Sequence, residues 1–112
     1  MGTKLYVLIR ADLSQAQQGI QAGHAVAEWM RLQRVQNYAI LWKNEILVYL
    51  SVKDINCLAE WFAQIMEVDK KAFNNLAAFY EPDMDNQPTT IACYTDNKNL
   101  FSKLPLWNPI VP

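Results

Sequence analysis

Lys4-Leu5-Tyr6-Val7-Leu8-Ile9-Arg10, followed by Ala11-Asp12-Leu13-Ser14 and then Gln15, sets the architecture of this chain. KLYVLIR is a short apolar run rich in Leu, Val, Ile and Tyr, the pattern of a buried strand. Asp12-Leu13-Ser14 breaks that run and offers capping oxygens for a helix beginning near Gln15. From Gln15 to about Arg34 the chain reads as one long helix. Strands joined through helices favour parallel neighbours, so the opening implies an α/β sheet rather than a β-meander.

Beyond that opening, residues 37–44 look irregular, with Trp42 packed down, and Glu45–Val52 (EILVYLSV) reads as a second strand. Asp54 is an N-cap for the next helix. In that helix Ile55, Leu58, Ala59, Phe62, Ile65 and Met66 recur at three and four residues as one apolar stripe, ending near Val68-Asp69. Phe73–Tyr80 is a third strand, Glu81–Pro88 (EPDMDNQP) a loop, and Thr89–Tyr94 (TTIACY) a fourth strand. Asp96 caps a short helix through Lys103, and Pro105–Pro112, with three prolines, is extended. The expectation is a three-layer α/β/α domain with a small mixed four-stranded sheet, its elements running β-α-β-α-β-β-α.

The chain has 112 residues, 52% hydrophobic and 19% charged, which fits one globular domain over residues 1–112. No run approaches the eighteen or so apolar residues of a membrane span. Residues 1–10 read as a strand rather than a secretory signal, so the expected location is the cytoplasm. Cys57 and Cys93 lie in a helical and a strand-like context and are expected as two free thiols. One His, with no Cys-x-x-Cys or His-x-x-x-His spacing, gives no reason to expect a metal or other cofactor. The net charge of −1 lacks the basic excess of a dedicated nucleic-acid binder, so any RNA contact rests on a local patch or is transient.

The first helix carries the most chemistry. At about 100° per residue, Gln17, Gln21, His24, Glu28 and Arg31 fall on one polar line, while Ile20, Ala22, Val26, Trp29 and Met30 cover much of the remainder. Such a helix is expected to be largely buried, with its polar line facing water, a cleft or a partner. His24 and Glu28 stand one turn apart and can pair. Gly19 and Gly23, each about 1 kcal/mol poorer than Ala in a helix, invite close approach by a backbone or ligand. A lone His on a polar stripe is more often structural than catalytic, and EPDMDNQP by itself reads as an acidic surface loop without calcium-site spacing. The polar stripe could equally be a homodimer contact, with Trp29 and Arg31 near its rim.

Several segments in order carry a resemblance. Leu5–Leu13 (LYVLIRADL) followed by Ile20-Gln21-Ala22-Gly23-His24-Ala25 resembles the opening of the type 2 peptidyl-tRNA hydrolases, in which a strand ending Arg-x-Asp-Leu leads to a helix bearing Gln-x-x-His-Ala. Glu81-Pro82 and Thr89-Thr90-Ile91-Ala92 resemble that family's late loop and final strand, so the likeness spans nearly the whole chain.

The resemblance implies hydrolysis of the ester joining a peptide to the 3′ end of tRNA. The substrate would be peptidyl-tRNA or another small acyl or nucleotide ligand. By motif, Gln21 and His24 match the family's helix, Glu81 its loop acid and Thr89 the Thr opening its last strand. The implied catalytic set is His24, Glu81 and Thr89, with Gln17, Gln21, Glu28 and Asp83 as substrate-binding candidates. His24 would act as base or orient the substrate, and Glu81 would position His24 or the attacking water. Thr89 would bind the ester oxygen, and Gln17 and Gln21 the peptide or ribose. Two departures stand out. Gln17 occupies the place of the family's Lys, and Glu81-Pro82-Asp83-Met84-Asp85 replaces its Asp-Ala-Gly-Arg-Thr loop. Both remove cationic groups beside a polyanionic substrate, which keeps open a binding module without catalysis on the same fold.

Overall fold

The computed structural model describes residues 3–35, 42, 45–68, 75–97 and 99–107. Its elements run β1 (Lys4–Arg10), α1 (Gln15–Val35), β2 (Leu47–Val52), α2 (Ile55–Val68), β3 (Leu76–Glu81), a 3-10 turn (Pro82–Met84) and β4 (Gln87–Thr95). They build a compact α/β fold on one mixed sheet in the order β2-β1-β4-β3. β1 runs parallel to β2 and antiparallel to β4, and β3 is antiparallel to β4.

The continuous apolar run of β1 follows from its central place, since alternate side chains point to opposite faces and both faces are covered. Leu5, Val7 and Ile9 cluster with Ala22, Ala25 and Trp29 of α1. Tyr6 and Leu8 cluster with Leu58 and Ile65 of α2, together with Ile91, Cys93 and Phe101. Ser14 caps α1 by accepting from the Gln17 N–H at 3.2 Å. Asp54 caps α2 by accepting from the Cys57 N–H at 3.0 Å. Cys57 and Cys93 are not joined in a disulfide. Trp42 is buried, with its indole N–H on the Ile46 carbonyl at 3.1 Å. Among the described residues no helix is long and apolar enough to cross a membrane.

The structure corrects the C-terminal reading. The helix expected over Asp96–Lys103 is a series of turns, and Lys98 lies outside the described residues. The Asn99 N–H donates to the Asn97 side-chain oxygen at 3.2 Å, and the Ser102 hydroxyl donates to the Asn99 carbonyl at 3.1 Å. Backbone bonds from Leu100 to Asn97 and from Leu104 to Phe101 are three residues long. Asn and Ser side chains thus supply local partners that compete with the helical pattern. Residues 105–107 then run beside β2, through the Ser51 N–H to the Pro105 carbonyl and the Trp107 N–H to the Tyr49 carbonyl, each at 2.9 Å. The rest of the tail expected as extended, and the Phe73–Asn74 start of the third strand, lie outside the described residues.

A second correction concerns α1. Its buried stripe is Gln18, Gln21, Ala22, Ala25, Trp29 and Gln33, three of them glutamines, whereas Ile20 is 51% exposed. The helix is open to solvent along its other side rather than largely buried. A Cβ built on Gly19 or Gly23 meets nothing within 4 Å among the described residues, so no backbone of this chain packs closely on either glycine. Trp29, expected at the rim of an oligomer contact, is 1% exposed and sits in the core, its indole N–H on the Asn75 carbonyl.

Candidate functional site

The polar residues of α1 meet the β3–β4 connection around Gln21. The Gln21 side chain is fully buried, and its amide nitrogen donates to Glu81 Oε2 at 2.6 Å and to Gln17 Oε1 at 3.1 Å. Its Oε1 accepts from the Thr89 hydroxyl at 2.7 Å, and its backbone carbonyl accepts from the Thr90 hydroxyl at 3.2 Å. One buried glutamine therefore joins residues 60 and 68 positions away in the chain.

Strand register explains how two consecutive threonines reach the same helix. Phe79 pairs with Thr90, but Tyr80 pairs with Pro88, so Thr89 is an extra residue on β4. In a regular strand Thr89 and Thr90 would point to opposite faces. The bulge turns both toward α1, while Pro88 and Ile91 line a cavity of about 130 Å³ against Leu58 and Phe62 of α2.

Glu81 ends β3 and caps the 3-10 turn, its Oε1 accepting from the Asp83 N–H at 3.1 Å. Asp85 and Asn86 close the connection with φ of 54° and 56°, left-handed conformations that Asp and Asn tolerate better than most residues. The expected loop is thus shorter, with Glu81 belonging to β3 and Gln87-Pro88 to β4. The Gln21 amide, then the Asp83 N–H, and also the charge of His24 hold the Glu81 carboxyl below its ordinary value of 4.5. Glu81 is consequently ionised at neutral pH and acts as an acceptor.

His24 is exposed and stacks on Phe79 with ring centroids 4.5 Å apart and planes 7° apart. The pairing expected between His24 and Glu28 is replaced. Glu28 takes the Arg31 guanidinium at 2.9 and 2.7 Å, which holds the Glu28 carboxyl below its ordinary range. The flexible arginine three residues on presents two donors to both carboxylate oxygens, which a ring pinned on Phe79 does not.

Of the residues singled out from sequence, Gln17, Gln21, Glu81 and Thr89 form one hydrogen-bonded group, with His24 beside it. Asp83 contributes a backbone N–H, its own side chain being exposed, and Glu28 lies a turn beyond. Thr89 and Gln21 are both fully buried and committed to each other. Gln17 and His24 are exposed and Glu81 is partly so, whereas Thr89, expected to touch an ester oxygen, and Gln21, expected to touch peptide or ribose, have buried side chains.

Sequence reasoning quoted Arg10 and Thr90 only as motif residues and gave neither them nor Gln18 a role. Gln18 donates to the Leu13 carbonyl at 2.7 Å and accepts from the Trp107 indole at 2.7 Å. Arg10 is 5% exposed and bound to Asp12 just past the same strand end. A charged residue closing an apolar strand, two positions before an Asp, was the available signal.

No family model matches the chain, and no curated protein matches it significantly. A solved structure of a protein of unknown function from Agrobacterium tumefaciens strain C58 is similar, with a TM-score of 0.62 over 96% of this chain and 99% of that one, at 16% identity. That likeness speaks to the fold alone.

Proposed function

We propose that this chain, on a three-layer α/β/α frame, hydrolyses the ester bond of peptidyl-tRNA. The observation supporting it is the direct bonding of Gln21 to Glu81 and Thr89. The helix and loop segments that resemble the hydrolase family meet at one amide, although nothing in their spacing along the chain requires it.

In this reading the exposed His24 imidazole takes a proton from the attacking water. The water oxygen bonds to the ester carbonyl carbon, and the bond from that carbon to the ribose oxygen breaks. The ribose oxygen receives the proton back from His24, leaving a peptide acid and a free tRNA hydroxyl. Glu81, held ionised by Gln21 and the Asp83 N–H, stabilises the imidazolium and orients the water. Thr89 fixes the Gln21 amide so that its nitrogen faces Glu81, and the exposed Gln17 borders the same edge.

A second reading, a binding module without turnover, is favoured by one specific observation. Gln17 stands where the family has Lys and accepts from Gln21, so it brings no positive charge to a developing anion. Release of labelled peptide from an N-blocked aminoacyl-tRNA separates the two. The hydrolase reading expects turnover by the wild type that drops at least about a hundredfold in His24→Ala and Glu81→Gln. A folded wild type that releases nothing, beside an active family enzyme, leaves the binding module.

A further inference from the structure

We propose that Arg10 is the positioning residue of this site, gripping the start of β4 so that the Thr89 bulge presents Thr89 to Gln21 and, through it, the Gln21 amide to Glu81. The grip consists of four bonds. Nε and Nη2 fork onto both oxygens of Asp12 at 3.0 and 2.9 Å. Nη1 donates to the Gln87 side-chain oxygen and to the Pro88 carbonyl, each at 3.1 Å.

The location of those acceptors matters. The β1–β4 ladder ends at Ile9 with Thr90, and the register of β3 against β4 shifts between Thr90 and Pro88. The Pro88 carbonyl therefore lies at the irregular step, beyond the last β1 partner, on the peptide group leading into Thr89. The Arg10 side chain takes over where the β1 backbone stops pairing. A buried guanidinium is suited to this because it is planar, permanently charged and presents donors in a fixed fork. Asp12 fixes the plane of that fork, and its carboxyl is held below the ordinary range by Arg10. On the far side of the step, Gln87 pairs with Glu81 itself. One side chain thus pins the two residues of β4 that precede the threonine, one of them the strand partner of the acid.

The grip itself rests on these contacts alone, while its effect on turnover rests on the hydrolase reading. The test uses Arg10→Lys, which keeps the charge and loses the fork, and Gln87→Ala, which removes one acceptor and leaves the buried Arg10–Asp12 pair intact. In each folded variant, NMR follows the Gln21 side-chain amide resonances and the titration of the Glu81 carboxyl carbon. The expected result is displaced Gln21 amide signals and a Glu81 midpoint moved up toward an ordinary glutamate. Turnover of N-blocked aminoacyl-tRNA should lose roughly ten- to a hundredfold in kcat with KM little changed. A folded variant with a lower melting temperature but unmoved Gln21 and Glu81 signals overturns the proposal. A wild type without turnover sinks the hydrolase reading, and the NMR comparison still decides the role of Arg10.

Discussion

Every polar atom of the Gln21 side chain is spoken for inside the protein, which makes this amide hard to replace. Gln21→Leu strips the Thr89 hydroxyl of its short acceptor and Glu81 of its short donor. Loss of about 1–3 kcal/mol is expected, because buried polar groups left without partners bear their full desolvation penalty. Urea denaturation of the pair of proteins measures it. Protonation gives a second expectation. Glu81 and Asp12 both have folded pKa values below the ordinary 4.5 and 3.8. The unfolded chain then binds more protons in the acid range, so the stability these groups confer is complete above those ordinary values and is lost as pH falls through the folded ones. The urea midpoint should therefore decline below about pH 4.5, and Glu81→Gln should remove part of that slope. Both partly exposed carboxylates are screened by solvent, so the slope is expected to be modest.

At the scale of the element, α1 shows where periodicity informs and where it misleads. Its extent was legible: the expected Gln15 to Arg34 is Gln15–Val35 in the structure. Its buried side was not, because glutamines count as polar in any apolar pattern and here occupy three core-facing places. Ile20 went the other way and faces solvent. The two glycines lie on that open side with room for a methyl group. Gly19→Ala and Gly23→Ala should each stabilise the protein by about 0.5–1 kcal/mol through helix propensity and a less disordered unfolded chain. Thermal melts of the single and double variants check this, and an increment near zero would show that the helix surface is constrained by something other than propensity. The Asp96–Lys103 stretch failed as a helix for the complementary reason. A good cap at its start counts for little when the Asn97 and Ser102 side chains both bond to the Asn99 backbone.

Across the whole molecule, the tail closes the structure back onto α1. Trp107 lies beside β2, packs edge-on against Tyr49 with ring centroids 5.7 Å apart, and donates its indole N–H to Gln18. Gln18 is 8% exposed and reaches the Ala11 and Leu13 carbonyls just before α1. Trp107→Phe keeps much of the ring packing and removes this donor. It should reduce global stability by about 1–3 kcal/mol, read as a shift in urea midpoint with an unchanged slope on denaturant. A change in that slope would instead mean that the tail detaches as a separate unit.

The β-α-β-α-β-β succession, the caps at Ser14 and Asp54 and the central apolar strand were all readable from the amino acids in order. Those features are local: they depend on capping oxygens, apolar period and runs that neighbouring residues carry on their own. The helical period marked Gln17, Gln21 and His24 on one line, and the resemblance alone marked Glu81 and Thr89. It took the folded chain to show that Gln21 sits at their centre, that His24 lies on Phe79 and not with Glu28, and that Thr89 and Thr90 face the same helix. A strand bulge shifts side-chain facing by one residue without leaving a mark in the alternation of polar and apolar letters. The guanidinium that grips its start, Arg10, stands 77 and 78 positions from the groups it holds.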